Sequence, residues 1–291
     1  MLRRMILACA LLTCVAPFAL AETADEVVAK YVAAHGGMEK IKAVKSMKIT
    51  GKMVMPGGAM EAPFVRMHRR PDDFRMEFTF QGMTGVQAFD GAGDVAWGIS
   101  PFMGKKEPEV APAEETKMVA EEADIDGALI DWKEKGHQLE LVGKEQVEGA
   151  DAFKLKLTRK SGTVEYVYID AETGLDVKSE SKRMIRGTEV ETESYMSDFK
   201  EVEGIPYAFT MSQGRKGGPE NQRMKFVVEK YELNPAMTDD LFKLPANAVK
   251  ADTTKAAAKA PDAKAADGKA ADAKAAAKPA APDAKTAAKK K

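Results

Sequence analysis

The chain has 291 residues, with 44 Lys and Arg against 45 Asp and Glu and a formal net charge of −1. Its two cysteines are Cys9 and Cys14, so a chain cut after residue 21 keeps no thiol and is excluded from disulfide, thiolate-metal and cysteine-nucleophile chemistry. Residues 251–291 hold ten Lys and five Asp; without them and the leader arginines Arg3 and Arg4, residues 22–250 carry −8, an acidic body that argues against nucleic acid as partner.

Residues 1–21 read as a cleaved secretory signal: Arg3 and Arg4, an apolar run from Met5, then Ala19-Leu20-Ala21 as a small-x-small cleavage site. Leu11-Leu12-Thr13-Cys14 is a poorer match to a lipoprotein box, because Thr13 stands where a smaller residue is usual. The expected location is the periplasm. Residues 22–250 then form one large domain, with no internal linker that divides it. The tail 251–291, of Ala, Lys, Asp and Pro, has no residue able to build a core and is expected to be disordered. It serves as a solvated spacer or as a basic tether to an anionic envelope polymer.

In chain order, residues 23–37 predict a helix capped by Thr23, with Asp25 and Glu26 in its first turn and Gly36-Gly37 at its end. Residues 38–44 predict a second, short one. Strands follow: 47–55, 60–70, then 74–81, where Phe74, Met76, Phe78 and Phe80 alternate with Arg75, Glu77, Thr79 and Gln81. Residues 84–90 and 94–100 form a hairpin about Asp90-Gly91-Ala92-Gly93, a turn rather than a calcium loop. Residues 101–112 read as loop and 114–136 as one or two helices. Strands resume at 137–142. The plainest stretch is 153–182: Phe153, Leu155 and Leu157 alternate with Lys154 and Lys156, and turns at Lys160-Ser161-Gly162 and Glu172-Thr173-Gly174 separate three strands. Strands over 190–200, 205–213 and 222–233 and a short turn holding Leu241 and Phe242 complete the body.

The fold class is therefore mainly β with α: a strongly curved antiparallel sheet of about eleven strands, a half-barrel, with helices across its concave face. The histidines His35, His68 and His137 are isolated from one another and from any Cys, and no nucleophile elbow, phosphate loop or dinucleotide fingerprint occurs. No catalytic residue, metal or cofactor is expected. The 17 methionines stand out, many in or beside strands; flexible thioethers suit a surface that accommodates varied apolar shapes, and they also fill ordinary cores.

Several turns and strand ends carry a family resemblance: Phe89-Asp90-Gly91 with Trp97 and Pro101; Ala123-Asp124-Ile125-Asp126-Gly127-Ala128-Leu129; Gly143-Lys144-Glu145 with Glu148-Gly149; Tyr168-Ile169-Asp170 with Thr173-Gly174-Leu175; Asp198-Phe199-Lys200 with Gly204-Ile205-Pro206-Tyr207; and Leu241-Phe242 with Pro245. Over about residues 24–246 the chain resembles bacterial outer-membrane lipoprotein-sorting proteins. The resemblance implies a half-barrel covered by helices, which shelters acyl chains of lipid or lipoprotein between sheet and helices, uses no cofactor and meets an outer-membrane acceptor. On that reading the cavity lining is Phe74, Met76, Phe78, Phe80, Phe153, Leu155 and Leu157, and the lid is Ile41, Val44, Met118, Leu129 and Trp132. The alternative is an envelope sensor or scaffold that binds a protein partner, tethered by the basic tail.

Overall fold

A computed structural model describes residues 22–58, 60–185 and 188–250, without the side chains of 183–185 and 188; the expected leader and tail lie outside these residues. Helix α1 (Ala24–Ala34) starts at a capping box in which Thr23 accepts from the Glu26 backbone and Glu26 accepts from that of Thr23. Helix α2 (Met38–Ala43) follows directly. The strands are β1 (Ser46–Val54), β2 (Glu61–Arg69), β3 (Asp73–Phe80), β4 (Met83–Asp90), β5 (Val95–Ser100) and β6 (Lys105–Val110); then, after helix α3 (Ala113–Ala123), β7 (Gln138–Val147), β8 (Ala150–Thr158), β9 (Val164–Asp170), β10 (Asp176–Ile185), β11 (Thr188–Val202), β12 (Ile205–Arg215), β13 (Met224–Leu233) and β14 (Val249–Lys250). No helix among the described residues is long and apolar enough to cross a membrane.

All fourteen strands belong to one curved, unclosed sheet, ordered β14-β6-β5-β4-β3-β2-β1-β13-β12-β11-β10-β9-β8-β7. Neighbours run antiparallel except β14, which lies parallel to β6. The first six strands step outward from the middle, and the last seven long ones step back from the far edge. The first and last long strands therefore meet at the centre, with Met47 opposite Leu233 and Val54 opposite Lys225. The link from β6 to β7 must cross from one side of the sheet to the other. Residues 111–137 do this over a single face, called inner here.

That crossing strap touches three apolar clusters in turn. Val119 and Ala123 of α3 pack on Phe74, Phe89 and Ala96. Ile125 joins Val44, Met47, Ile49, Phe64 and Ile205 at the centre. Leu129 joins Val27 of α1 with Phe153, Leu155 and Ile169. The stretch predicted as one or two helices over 114–136 is helical as far as Ala123, because Asp124 turns extended (φ −63°, ψ 100°) and Gly127 takes φ +71°, a conformation glycine adopts at no steric cost. The turns that follow let Ile125 and Leu129 reach clusters that a straight helix would pass over. Strand β6 lies in the stretch read as loop. Its sequence Lys-Lys-Glu-Pro-Glu-Val is charged and holds Pro108, which is tolerated beside a sheet edge because only the two-residue β14 lies beyond.

The outer face is sealed differently on its two halves. Over β3–β5 the segment around the turn Asp239–Leu241 closes it: the Trp97 indole N–H donates to Phe242 O at 2.8 Å, and Arg75 donates to Leu241 O at 2.8 Å. Over β8–β11 charge and aromatic rings replace aliphatics. Lys154 and Lys178 sit over the Tyr168 ring at 5.3 and 5.0 Å, and Arg223 sits over Tyr195 at 4.3 Å while pairing with Glu193 at 2.6 Å.

One buried group makes this packing sensitive to acid. His68 of β2 lies under α3, 5.1 Å from the Phe74 ring, with no partner for Nδ1 among the described residues. Burial lowers its pKa to about 3, with the Arg66 charge acting the same way. Between that value and its ordinary one near 6.5 the unfolded chain binds a proton that the folded chain refuses, so stability rises with pH. Urea titrations should show wild type losing stability relative to His68→Gln as pH falls from about 6.5 toward 4, by up to about 1.4 kcal/mol per pH unit. Parallel curves would place the proton elsewhere.

Candidate functional site

Along β1 the inner face runs Met47, Ile49, Met53. At its middle, Ile49 packs with Phe64 of β2 and Phe226 of β13, the two rings edge-to-face at 5.5 Å. This plug separates two hollows.

The first, at the open end of β1–β4, has a volume of about 340 Å³. Four methionines, Met53, Met55, Met60 and Met83, line it with Phe78, Phe80 and Phe102; its polar border is Gln81. Tight turns bring these together. Met55 N donates to Met60 O at 2.9 Å where β1 gives way to β2, and the Gln81-Gly82 turn places Met83 beside Phe80. The short turn Pro101–Met103 folds Phe102 back onto Phe78, with ring centroids 5.4 Å apart and nearly parallel. Gly85 makes room for that stack, since a Cβ there would lie 2.6 Å from the Phe78 ring and 3.0 Å from that of Phe102. Met60 and Met83 remain 43 % and 37 % exposed at the mouth.

The second hollow, about 190 Å³, is lined by α1, α2, the strap, Met47 of β1 and strands β10–β12. An ionic clasp holds its roof. At the end of β2, Arg70 donates from Nε to Val44 O at 2.7 Å, from Nη2 to Ile41 O at 3.2 Å, and from Nη1 and Nη2 to the Asp126 carboxylate at 2.7 and 2.5 Å. Lys42 of α2 adds contacts to Asp126 at 2.6 Å and Asp131 at 2.5 Å. One guanidinium thus joins sheet, α2 and strap. Burial pushes the Asp126 carboxyl up, but hydrogen bonds from Arg70 and Lys42 prevail and hold it below the ordinary carboxylate value.

Of the residues proposed from sequence as cavity lining, Phe78 and Phe80 border the open hollow. Phe74 is fully buried beneath α3, and Met76 packs half-buried between that cluster and the central one. Phe153, Leu155 and Leu157 are at most 1 % exposed; the first two pack with α1 and Leu129, so this segment is solid core. Of the lid residues, Ile41 and Val44 border the second hollow, while Leu129 is buried against Val27 and Phe153. Met118 is half-buried, and the α3 contact to the sheet is made instead by Val119 and Ala123. Trp132 is half-buried under the Lys133 ammonium at 4.9 Å. Sequence reading missed Arg70, Asp126 and Phe102. The first two are 56 residues apart, and neither carries a local signal beyond lying at a strand end or an Asp-Gly turn. Among the described residues no group of three or more His, Cys, Asp or Glu could hold a metal ion.

No protein-family model matches the chain, and no curated protein matches it. Among solved structures it is similar to a LolA superfamily protein from Nitrosomonas europaea, at 11 % identity and TM-score 0.52, covering 77 % of this chain and 99 % of that one. It is similar also to a DUF1329 family protein from Desulfovibrio piger, at 14 % identity and TM-score 0.52, covering 77 % of this chain and 98 % of that one. The fold is thus LolA-like.

Because Asp126 is buried between two cations, removing it strands both. Asp126→Ala should lower unfolding free energy by about 3–5 kcal/mol in denaturant titration. The double variant Arg70→Met, Asp126→Leu should regain part of that loss, since it removes the guanidinium as well as the carboxylate. A single variant within about 0.5 kcal/mol of wild type would show the clasp to be solvated.

Proposed function

We propose that this protein is a non-enzymatic periplasmic carrier that shelters acyl chains of a lipid or lipidated protein in the open methionine-rich hollow, for delivery to an outer-membrane acceptor. The observation that carries this reading is the hollow itself: about 340 Å³, walled by thioethers and phenyl rings and open to solvent. That volume lies within the roughly 300–1,000 Å³ of small-ligand pockets. Each methylene moved into it from water is worth about 0.8 kcal/mol. Four flexible methionines can re-pack around chains of different length and unsaturation, while the stacked Phe78 and Phe102 form a rigid wall. With Gln81 as its polar border, the hollow orients its guest weakly and recognises apolar bulk more than chemical detail. The LolA-like fold supports the reading, because such a fold leaves one face of the sheet to be covered by other elements. The solid core at Phe153, Leu155 and Leu157 is then the fixed half against which the strap is anchored.

The test is titration of the full chain with a fluorescent long-chain fatty acid and with a diacyl lipopeptide, alongside native mass spectrometry of protein purified without detergent. Saturable binding is expected, weakened about tenfold or more by Phe80→Asp or Met83→Glu, an effect of about 1.4 kcal/mol or more. Wild type that ignores both probes and purifies free of lipid would overturn the carrier reading. Retention of a delipidated protein partner through the same methionines would favour a sensor or scaffold instead.

A further inference from the structure

The hollow beneath α1 and α2 differs in chemistry from the methionine-rich one. Aliphatic walls such as Ile41, Val44 and Ile130 are broken by His35, Asp126 and Asp176 and by the phenols Tyr31 and Tyr207, and no lysine or arginine is among the described residues that line it. Asp126 is already matched by the clasp. Asp176 is matched less closely. Its carboxylate, 32 % exposed, meets its own backbone N–H and faces His35 Nε2 at 3.6 Å, within ion-pair distance but beyond hydrogen-bond reach. Nδ1 of that imidazole donates to Tyr31 O at 2.9 Å, and Nε2 is the nitrogen turned toward Asp176.

The backbone aims Asp176 into this hollow by an irregularity. Asp176 pairs with Ile169 and Lys178 with Tyr168, so Val177 is an extra residue at the start of β10. In a regular strand residues 176 and 178 share a face. The bulge sends Lys178 to the outer face with Tyr168 and leaves Asp176 on the inner face with Ile169, under α1. Burial pushes the Asp176 carboxyl above its ordinary value, with His35 pulling the other way. Burial and then the Asp176 charge likewise push Tyr31 well up. A carboxylate that lines a largely apolar hollow, with its charged neighbour 3.6 Å away, can accept from a cation that brings N–H or polarised C–H groups.

We propose that this hollow binds a small organic ammonium ion, with the Asp176 carboxylate as counter-ion and Tyr31 and Tyr207 against its carbon groups. Its volume of about 190 Å³ suits a choline- or ethanolamine-sized group and is small for a full acyl chain. Anions meet two carboxylates there, and among the described residues no lysine or arginine lines the hollow to offset them. Aromatic rings beside a carboxylate are the recurrent surroundings of alkylammonium groups. Met47 of this hollow and Met53 of the other lie six residues apart on β1, about 20 Å along the strand, with the Ile49–Phe64–Phe226 plug between them. The site therefore stands apart from acyl binding and does not rest on it.

Calorimetric titration of the full chain with choline, with ethanolamine and with the neutral carbon isostere of choline tests the assignment. One ammonium ion should bind per chain, with the isostere about tenfold weaker or worse. Asp176→Asn should lose ammonium binding by about tenfold or more at an unchanged Tm. Ala208→Leu, which fills the hollow and leaves Asp176 in place, should lose it too, and so keeps the test valid if the first variant folds poorly. Sub-micellar dihexanoyl-phosphatidylcholine separates the sources. Tighter binding than choline that still needs Asp176 identifies a lipid headgroup, and weaker binding identifies a free amine. Equal affinity for the isostere, ammonium binding indifferent to Asp176→Asn, or no saturable heat at millimolar ligand would each overturn the proposal.

Discussion

The structure depends on one constraint of connection. The sheet grows from its centre toward one edge, and the chain must then reach the other edge before it can grow back to meet its first strand. It makes that passage over the inner face, and the passage serves as the cover. Apolar side chains that would otherwise face water along β3, β1 and β8 are buried by the same residues that complete the topology. The cover is therefore secured at both ends by the sheet itself. Its middle is tied to β2 and α2 by Arg70, through side-chain and main-chain acceptors together.

Where this cover is complete the interior is solid, and where it falls short the sheet leaves hollows of two kinds. Beyond the central plug the strands run on past the strap, and their inner face is edged by turns rather than helices. The residues there are soft and apolar, as suits a guest held by area alone. Beneath α1 and α2 the space is smaller and contains a carboxylate turned inward by a strand bulge. One sheet face thus presents a non-directional surface and a charged, shaped one, with packed rings between them.

The outer face of the broad sheet is covered in two ways. On the first half a C-terminal segment seals Trp97. On the second, cations lie across tyrosine rings and pair with buried glutamates. Burial pushes the Glu180 carboxyl up, yet hydrogen bonds from Lys178 and Lys216 bring it down to about 2, so the charge is retained in place. Such a network adds less net stability than an aliphatic layer of equal size, but it puts charge where a greasy surface would invite another sheet to adhere.

Much of the fold was legible in the residues. Alternation at Phe74–Phe80 and at 153–157, the Thr23–Glu26 cap and the glycine turns marked elements that the structure contains, since these signals are local and act within a few residues. Strand β6 was not legible, because its charged, proline-bearing sequence owes its strand form to the hydrogen bonds of β5. Phe78 and Phe80 could be singled out as apolar and clustered, but so could Phe153, Leu155 and Leu157, and alternation of period two cannot distinguish a wall beside a hollow from a wall beside a helix. Sequence alone determined that one face of long antiparallel strands would be apolar. Tertiary structure decided which parts of that face are covered, and it brought together Arg70 with Asp126 and Asp176 with His35, because those pairings arise from strand order and a single inserted residue rather than from any neighbour in the chain.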